Sequence, residues 1–286
     1  MGFKFNQTRS LEENVRRLYK KGAKKVALAL EQSDELAGIH AARKEIKRLC
    51  AALRLLCPDI SDGACRRSMR PLRKAAKLLG PPRDARVLLQ TLKELSSRFN
   101  GALPAKSLAH LKKSLVKNCQ TARAMFDRNQ TARRVCRLLK KSQKRVGKMS
   151  LKGKSWPLLE QNLRKSFAGS REAFENALAD QSPERFHEWR KRVQDVRNQI
   201  ELLNSRNGIS LASLKDLSQI LGLDHDVFTL RKFFEAQFAA KARKLKIQAL
   251  NESIKPFEEK LQVTTLTRGA SFYGGPAARR KPKYSI

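Results

Sequence analysis

The fold class predicted from this sequence is all-α, and two observations predict it. Apolar residues recur at spacings of three and four along almost every segment, whereas the alternation typical of half-buried strands is scarce. The chain also holds only 3 Tyr and 2 Trp, although aromatic residues favour strands. With 286 residues and 41% hydrophobic composition, the chain is long enough to bury a sizeable core.

Clusters of Pro, Gly, Asn and Ser divide the chain into helices of roughly 15 to 40 residues, with the short connections of antiparallel bundles. The predicted breaks lie at 58–63, 80–82, 100–104, 147–157, 182–183, 204–208 and Gly222. We interpret the break after residue 147 as a hinge between two halves, 1–148 and 149–268. The composition near the end predicts a disordered basic tail over 269–286.

The charge balance predicts a polyanionic partner. Lysine and arginine number 62 against 26 acidic residues, which gives a formal net charge of +36. A compact body with this charge repels itself unless counter-charge is supplied from outside. Nucleic acid, polyphosphate, an acidic protein surface and an anionic membrane would all supply it, so local spacing has to distinguish them.

Targeting signals and metal-binding motifs are missing from the sequence. It begins without the apolar stretch of a secretory signal and has no run of about 18 apolar residues, so we expect a soluble, cytoplasmic protein without a membrane partner. Five cysteines are an odd number and form no Cys-x-x-Cys pair, which favours structural thiols over a metal site. We predict no metal, no cofactor and no catalytic residue.

Two short motifs recur in the same order along the chain. The pattern His-x-x-Arg-Lys begins at His40 and again at His187, and Leu-Gly-x-x-(Arg/His)-Asp begins at Leu79 and again at Leu221. Chance is a poor explanation for both recurrences, so the sequence predicts one helical unit that has been duplicated.

Each His-x-x-Arg-Lys motif lies on a helix with one cationic and one apolar face. The cationic face of the first copy holds His40, Arg43, Lys44, Lys47, Ala51 and Arg54, with Arg48 at its margin. Behind it lie Ile39, Ile46, Leu49, Cys50, Leu53 and Leu56. The spacing predicts a binding surface that meets several consecutive phosphates.

The second copy repeats this geometry with less charge. Its cationic face holds His187, Arg190, Lys191, Gln194 and Asn198, with Arg197 nearby. Behind it lie Phe186, Trp189, Val193, Val196, Ile200 and Leu203. We expect weaker binding here because Gln194 and Glu201 replace Lys47 and Arg54.

These residue types suit phosphate. Arginine offers a planar fork, lysine a mobile point charge, and histidine a donor whose protonation rises beside a polyanion. A charged helix face is usually only solvated, yet solvation does not require the same pattern twice, so we predict two facing cationic faces that form one basic groove. Further basic positions that could extend the groove are Arg17, Lys21, Lys24, Arg73, Lys77, Arg83 and His225.

The Leu-Gly element predicts the end of one helix and the start of the next. Gly80 and Gly222 follow apolar turns, as C-terminal caps do. Asp84 and Asp226 then lie where a new helix favours an N-terminal anion or cap.

At these residues the sequence resembles the CHAD family, the histidine-containing α-helical domains. The resemblance is carried by residues 39–56, 79–88, 186–203 and 221–230, and the duplicated layout spans about residues 10–265. It implies two pseudo-symmetric four-helix bundles around a basic cavity that binds inorganic polyphosphate and can bring the protein to polyphosphate granules. The contacts it implies are His40, Arg43, Lys44, Lys47, Arg48, His187, Arg190, Lys191 and Arg197.

Two other functions stay open. A sequence-indifferent nucleic-acid binder would also exploit the charge, although no nucleic-acid motif occurs and aromatic residues for stacking are only 6% of the chain. Weak nucleic-acid binding through charge is therefore expected beside polyphosphate binding. An enzyme acting on phosphoanhydrides is disfavoured, because the sequence shows no Gly-rich phosphate loop, no nucleophile motif and no clustered acids for Mg²⁺. The triphosphate-processing tunnel domain fused to some family members leaves no motif here, so the module is expected to stand alone.

Overall fold

A computed structural model describes residues 4–31, 35–57, 62–98, 105–149, 151, 155–204, 208–237 and 244–274. This part of the chain forms ten α-helices and no strand, so the predicted all-α class is confirmed. The helices are α1 (Leu11–Leu30), α2 (Glu35–Leu56), α3 (Asp62–Leu78), α4 (Gly80–Arg98), α5 (Ala105–Arg128), α6 (Thr131–Val146), α7 (Trp156–Ala179), α8 (Pro183–Leu203), α9 (Leu211–Gln237) and α10 (Lys244–Tyr273).

Most predicted breaks coincide with connections between these helices, but the one at Gly222 is wrong. The helix α9 continues through Gly222 without interruption. A glycine inside a helix costs only about 1 kcal/mol relative to Ala, which the burial of neighbouring leucines such as Leu221 offsets. The break at 80–82 is shorter than predicted, because Leu79 alone separates α3 from α4. Pro81 and Pro82 then lie in the first turn of α4, where a missing N–H costs nothing.

The capping role predicted for Asp84 and Asp226 is also wrong, because neither residue lies at the start of a helix. Asp226 lies in the middle of α9, far from either end. Asp84 is the fifth residue of α4, beyond the first turn, where the free backbone N–H groups are. Neither carboxylate therefore caps a helix, and these residues have to be explained in another way.

By its internal contacts the chain divides into two compact units. Unit 1 comprises 1–83, 122–169 and 194–209, and unit 2 comprises 84–121, 170–193 and 210–286. Each unit takes residues from both sequence halves predicted at 1–148 and 149–268. The helices α7 and α8 contribute to both units.

Unit 1 contains α1, α2, α3 and α6, which contact one another in a closed ring. The contacting pairs are α1 with α2, α2 with α3, α3 with α6 and α6 with α1, which is the arrangement of a four-helix bundle. The approach of α1 to α2 depends on Gly22, because a Cβ there would lie 3.0 Å from the Leu49 side chain. Beside it, the buried Tyr19 hydroxyl donates to the Leu49 carbonyl at 3.0 Å.

The core of unit 2 joins four helices from separate parts of the chain. Its buried apolar cluster takes residues from α4, α5, α9 and α10: Leu88, Leu92, Leu95, Leu111, Leu115, Val227, Leu230, Phe234, Ile254 and Leu261. A second group of rings joins Phe174 of α7, Trp189 of α8 and Tyr273 of α10. Unit 2 is therefore also held together by helix packing.

The tail begins later than predicted. Residues up to Tyr273 belong to α10, and Ala270 and Tyr273 are buried, so 269–273 are part of the folded body. The rest of the predicted tail, 275–286, lies outside the described residues.

Two of the five cysteines form a disulfide, so the expectation of structural thiols is wrong for them. Cys57 and Cys65 are bonded, with their Cα atoms 5.7 Å apart. This separation lies within the range that a disulfide spans, so the bond joins the end of α2 to the first turns of α3. Cys50 is a buried free thiol, and its burial raises its pKa to about 11, as expected of a structural cysteine.

Candidate anion-binding site

The helix α2 has the two faces that its sequence predicts. All six residues predicted on the apolar face are buried: Ile39, Ile46, Leu49, Cys50, Leu53 and Leu56. On the other side His40 and Lys44 are exposed, whereas Arg43 and Lys47 are half-buried. We name His40, Arg43, Lys44 and Lys47 the α2 cationic face. At 1.5 Å per residue it is about 11 Å long.

Arg43 connects this face to the end of α3. Its Nη1 donates to the Ala76 carbonyl oxygen at 2.6 Å, in the last turn of α3. A cation is favourable there because the helix dipole leaves its C-terminal end partly negative. The hydrogen bond fixes the guanidinium, so Arg43 is ordered before any ligand arrives.

Two further predicted cations lie on α3 beside this point. Arg73 and Lys77 are both exposed and are four residues apart, hence on one side of the helix. Arg73 and Lys47 are both close enough to Cys50 to lower the pKa of its thiol, against the larger upward effect of burial. The cations of α2 and α3 thus lie near one another in unit 1.

The arginines in the C-terminal half of α2 form ion pairs. Arg48 donates to Glu45 at 2.9 Å and to Glu201 at 3.1 Å. Arg54 donates to Asp195 at 2.6 Å. These acids of α2 and α8 neutralise Arg48 and Arg54. In the absence of ligand, the two arginines therefore have a structural role, and their predicted role on the binding face stays a prediction.

The contacts between α2 and α8 connect equivalent positions of the two predicted copies. Lys47 donates to Gln194 at 2.8 Å, and the two residues are 147 positions apart, as are the two histidines of the motif. Adding the same offset to Arg48 gives Asp195, and to Arg54 gives Glu201. Replacing each residue by its equivalent in the other copy therefore turns the pair Arg48–Glu201 into the pair Asp195–Arg54. Contacts across a twofold axis have this property. The internal duplication stays a prediction, which this pattern favours.

The crossing of these helices also shortens the binding face. Ala51 and Asn198, predicted on the cationic faces, are instead buried. The Ala51 carbonyl accepts a hydrogen bond from Gln199 Nε2 at 3.5 Å. Arg197 lies beside Glu201, with 4.0 Å between Nε and Oε1. Beyond Lys47 the residues thus serve helix packing.

Unit 2 holds the second histidine motif. Phe186, Trp189 and Val193 are buried as predicted, and His187 and Arg190 are half-buried. The ring of His187 lies against that of His225, with centroids 4.8 Å apart and planes tilted by 36°. The fold thus brings the His-x-x-Arg-Lys and Leu-Gly elements of the second copy together.

Lys191 is exposed and shares its charge with an acid. It donates to Glu188 at 3.0 Å, as does Arg192. The hydrogen bond from Lys191 is the main reason why the pKa of Glu188 is lowered. Surface pairs of this kind contribute little to stability, so an arriving phosphate can replace the carboxylate at small cost.

Arg190 lies beside a buried carboxyl group that the sequence did not single out. Burial and, to a smaller extent, the charge of Glu258 raise the pKa of Asp224 to about 7, although the charge of Arg190 opposes them. Burial likewise raises the pKa of Glu258, while Arg231, 3.1 Å away, lowers it. Arg190 is therefore electrostatically coupled to an acidic pair of α9 and α10.

The raised pKa of Asp224 predicts a pH-dependent stability. The pKa of Asp224 in the folded state lies above its ordinary value of 3.8, so the folded state binds the proton more tightly. The free energy of unfolding should then fall as pH rises from about 4 to 7, by on the order of 2 to 4 kcal/mol. Urea titrations at pH 5 and pH 8 should show Asp224→Asn losing most of this slope. Asp216→Asn, at an exposed position of the same helix, is the control and should keep it; equal slopes in both variants would contradict the prediction.

Arg83 is the arginine of the first Leu-Gly element. It is the fourth residue of α4, is half-buried, and is the last residue of its segment of unit 1. Its predicted contact with the anion stays a prediction.

The comparison with known families decides where this chain belongs. The sequence model of the CHAD domain matches residues 7–235, most of the chain. The chain belongs to the CHAD family. No curated protein matches the sequence. The matched span of the CHAD domain covers both histidine motifs and the helices α1 to α9, the last as far as Glu235, and leaves out α10.

Within the described ranges, this CHAD domain has no group of three His, Cys, Asp or Glu side chains that could hold a metal ion. No helix in that part of the chain is long and apolar enough to cross a bilayer. The acids that neutralise α2 were the main residues that sequence reasoning missed. Aligning the two copies places Asp195 opposite Arg48 and Glu201 opposite Arg54, so opposite charges at equivalent positions were the available signal.

Proposed function

We propose that this CHAD domain binds inorganic polyphosphate, without catalysis, through the α2 cationic face together with Arg73 and Lys77. The main observation in favour of the proposal is that exposed and half-buried cations are concentrated on the α2 cationic face and on α3. Membership of a family associated with polyphosphate and triphosphate binding supports it.

The form of this surface favours a chain of linked phosphates. Arg43 is held by the Ala76 carbonyl, so its guanidinium would bind an oxyanion without a large loss of side-chain entropy. Lys44 and Lys77 are exposed and contribute mobile charge that follows the ligand. Phosphates in polyphosphate are joined directly, so neighbouring charges of one chain lie closer together than along a single nucleic-acid strand, where sugars intervene.

We further propose that unit 2 provides a second contact region at His187, Arg190, Lys191 and His225. The rings of His187 and His225 lie with their centroids 4.8 Å apart, and imidazole N–H groups can donate to phosphate oxygens. Lys191 would release the carboxylate of Glu188 and bind a phosphate oxygen instead. Binding by both regions would raise the overall affinity through multivalency.

A competition experiment tests the choice of ligand. Labelled long-chain polyphosphate is bound to the protein at fixed salt, and duplex DNA or RNA is added at equal phosphate concentration. We expect polyphosphate to stay bound, with only weak displacement, because nucleic acid binds through charge alone. Full displacement by either nucleic acid would favour the alternative function, a sequence-indifferent nucleic-acid binder.

The absence of catalysis is part of the proposal and has its own test. Purified protein is incubated with polyphosphate with and without Mg²⁺, and orthophosphate is measured. We expect none above the buffer control; release in proportion to protein concentration would show an enzyme instead. In the cell we propose a cytoplasmic location, with recruitment to polyphosphate granules as the consequence of binding.

A further inference from the structure

A pocket of about 520 Å³ lies in unit 1, between α1 and the C-terminal half of α6. It is lined by Arg16, Arg17, Lys20, Lys140, Gln143, Lys144 and Gly147. Its volume is in the range of small-molecule sites. Its lining shares no residue with the α2 cationic face, so the pocket is not accounted for by the function proposed above.

The lining concentrates positive charge. Among the described residues that line the pocket, five are Lys or Arg and none is acidic. Arg16 and Lys20 are four residues apart on α1, as are Lys140 and Lys144 on α6, and like charges at this spacing repel. The sequence of α6 holds no acidic residue to relieve them. A bound anion would remove this repulsion.

The guanidinium of Arg17 is held in place by a buried asparagine. Its Nη2 donates to the Lys4 carbonyl at 2.8 Å and to Asn14 Oδ1 at 3.0 Å. Asn14 is fully buried, and its Nδ2 donates to the carbonyl oxygens of Asn6, Arg9 and Ser10. The Nε of Arg17 is buried without a hydrogen-bond partner among the described residues. The guanidinium of Arg17 is thus held in position at the pocket before any ligand arrives.

The residue types define the ligand. Two arginines offer planar forks for phosphate oxygens, and three lysines add point charges. The described lining has no aromatic ring on which a base could stack, which disfavours nucleotides. We propose that this pocket is a second anion site, which binds a short chain of linked phosphates such as tripolyphosphate or the end of a longer polyphosphate. The site does not depend on the α2 cationic face being a ligand site.

Calorimetric titration of the full chain with tripolyphosphate at fixed ionic strength tests the pocket. The background carries Arg43→Gln and Lys44→Gln, which weaken the α2 cationic face. In this background Lys140→Gln with Lys144→Gln should weaken tripolyphosphate binding by at least about tenfold, because two charge-assisted contacts are lost. The matched control is Arg164→Gln with Lys165→Gln, which removes the same charge from exposed residues of α7 that do not line the pocket. It should change affinity by less than about threefold, as expected of screened charges that do not contact the anion.

Each outcome has a clear meaning. Equal weakening by the two pairs of variants would mean that the pocket is not a site and only net charge matters. If citrate binds as tightly as tripolyphosphate, the assignment of linked phosphates is wrong. A second titration with long-chain polyphosphate distinguishes free tripolyphosphate from the end of a longer chain as the ligand. If the pocket binds chain ends, the amount of long-chain polyphosphate needed for saturation should scale with the concentration of chain ends, not with total phosphate. The parent background is also compared with the unmodified protein for long-chain binding, and an unchanged affinity there contradicts the proposed function while leaving the pocket intact.

Discussion

Charge reversal at four positions of the two histidine motifs is expected to weaken polyphosphate binding by at least about a hundredfold, or about 2.7 kcal/mol. The changes are Arg43→Glu, Lys44→Glu, Arg190→Glu and Lys191→Glu. Each removes a cation that we propose contacts phosphate and adds a repulsive carboxylate, and a hydrogen bond to a charged group contributes about 1.5 to 3 kcal/mol. The affinity is measured by calorimetry across a salt series, because counterion release also predicts a shallower salt dependence for the variant.

A control with the same change in net charge separates local contacts from the general field. Lys112, Lys113, Arg133 and Arg134 are exposed on α5 and α6, and the fourfold Glu variant at these positions should retain most of the affinity. Circular dichroism must show unchanged helix content in both proteins. Equal losses in the two variants would remove the histidine motifs from the explanation of binding.

The two halves of the fourfold variant should not be equivalent. Arg43→Glu with Lys44→Glu should weaken binding more than Arg190→Glu with Lys191→Glu. Lys191 already shares its charge with Glu188, and Arg190 lies beside Asp224, so the second motif offers less net charge to a phosphate. The sequence predicted this inequality from Gln194 and Glu201, which contact α2 instead. The expectation is thus kept, but its physical reason is different.

The sequence was sufficient for the helical class and for the apolar faces, because both follow from a period of 3.6 residues that is local in the chain. Every apolar residue predicted behind the two histidine motifs is buried. Local reasoning failed at Gly222 and Asp226, where a motif resembling a helix end lies inside α9. The propensity of one glycine is small compared with the packing of a 27-residue helix. Packing partners decided the outcome there, and these are not local.

The sequence predicted which cations of α2 lie on its polar face as far as Lys47, but not beyond it. The cations of α2 at His40 and Lys44 are exposed, as the helical wheel indicates. The fate of Arg48 and Arg54 depends on acids 153 and 141 residues away, which a wheel for one helix cannot include. The contact between the tilted rings of His187 and His225 likewise depends on the packing of α8 against α9. Tertiary contacts therefore determine which of the predicted cations face a ligand.

Replacing Gly269 by Ala is expected to destabilise the protein strongly, although Ala is the better helix former. A Cβ at Gly269 would lie 2.6 Å from Cε2 of Phe174 and 2.6 Å from Cη2 of Trp189. Neither ring has room to move, because Trp189 is fully buried and Phe174 also stacks on Tyr273 at 5.4 Å. Overpacking of this kind costs about 1 to 3 kcal/mol, more than the gain of up to about 1 kcal/mol from helix propensity. Urea denaturation monitored by tryptophan fluorescence measures the change.

The same substitution at two other helical glycines should have the opposite sign. At Gly222 in α9 and Gly169 in α7, an added Cβ would meet no atom within 4 Å, so Ala there gains helix propensity without a clash. Each should stabilise by about 0.5 to 1 kcal/mol. Combining Gly269→Ala with Phe174→Leu should recover part of the lost stability, because the smaller side chain makes room for the methyl group. If all three alanine variants stabilise the protein, helix propensity dominates, and the close contact of α10 with α7 and α8 is not what requires a glycine at position 269.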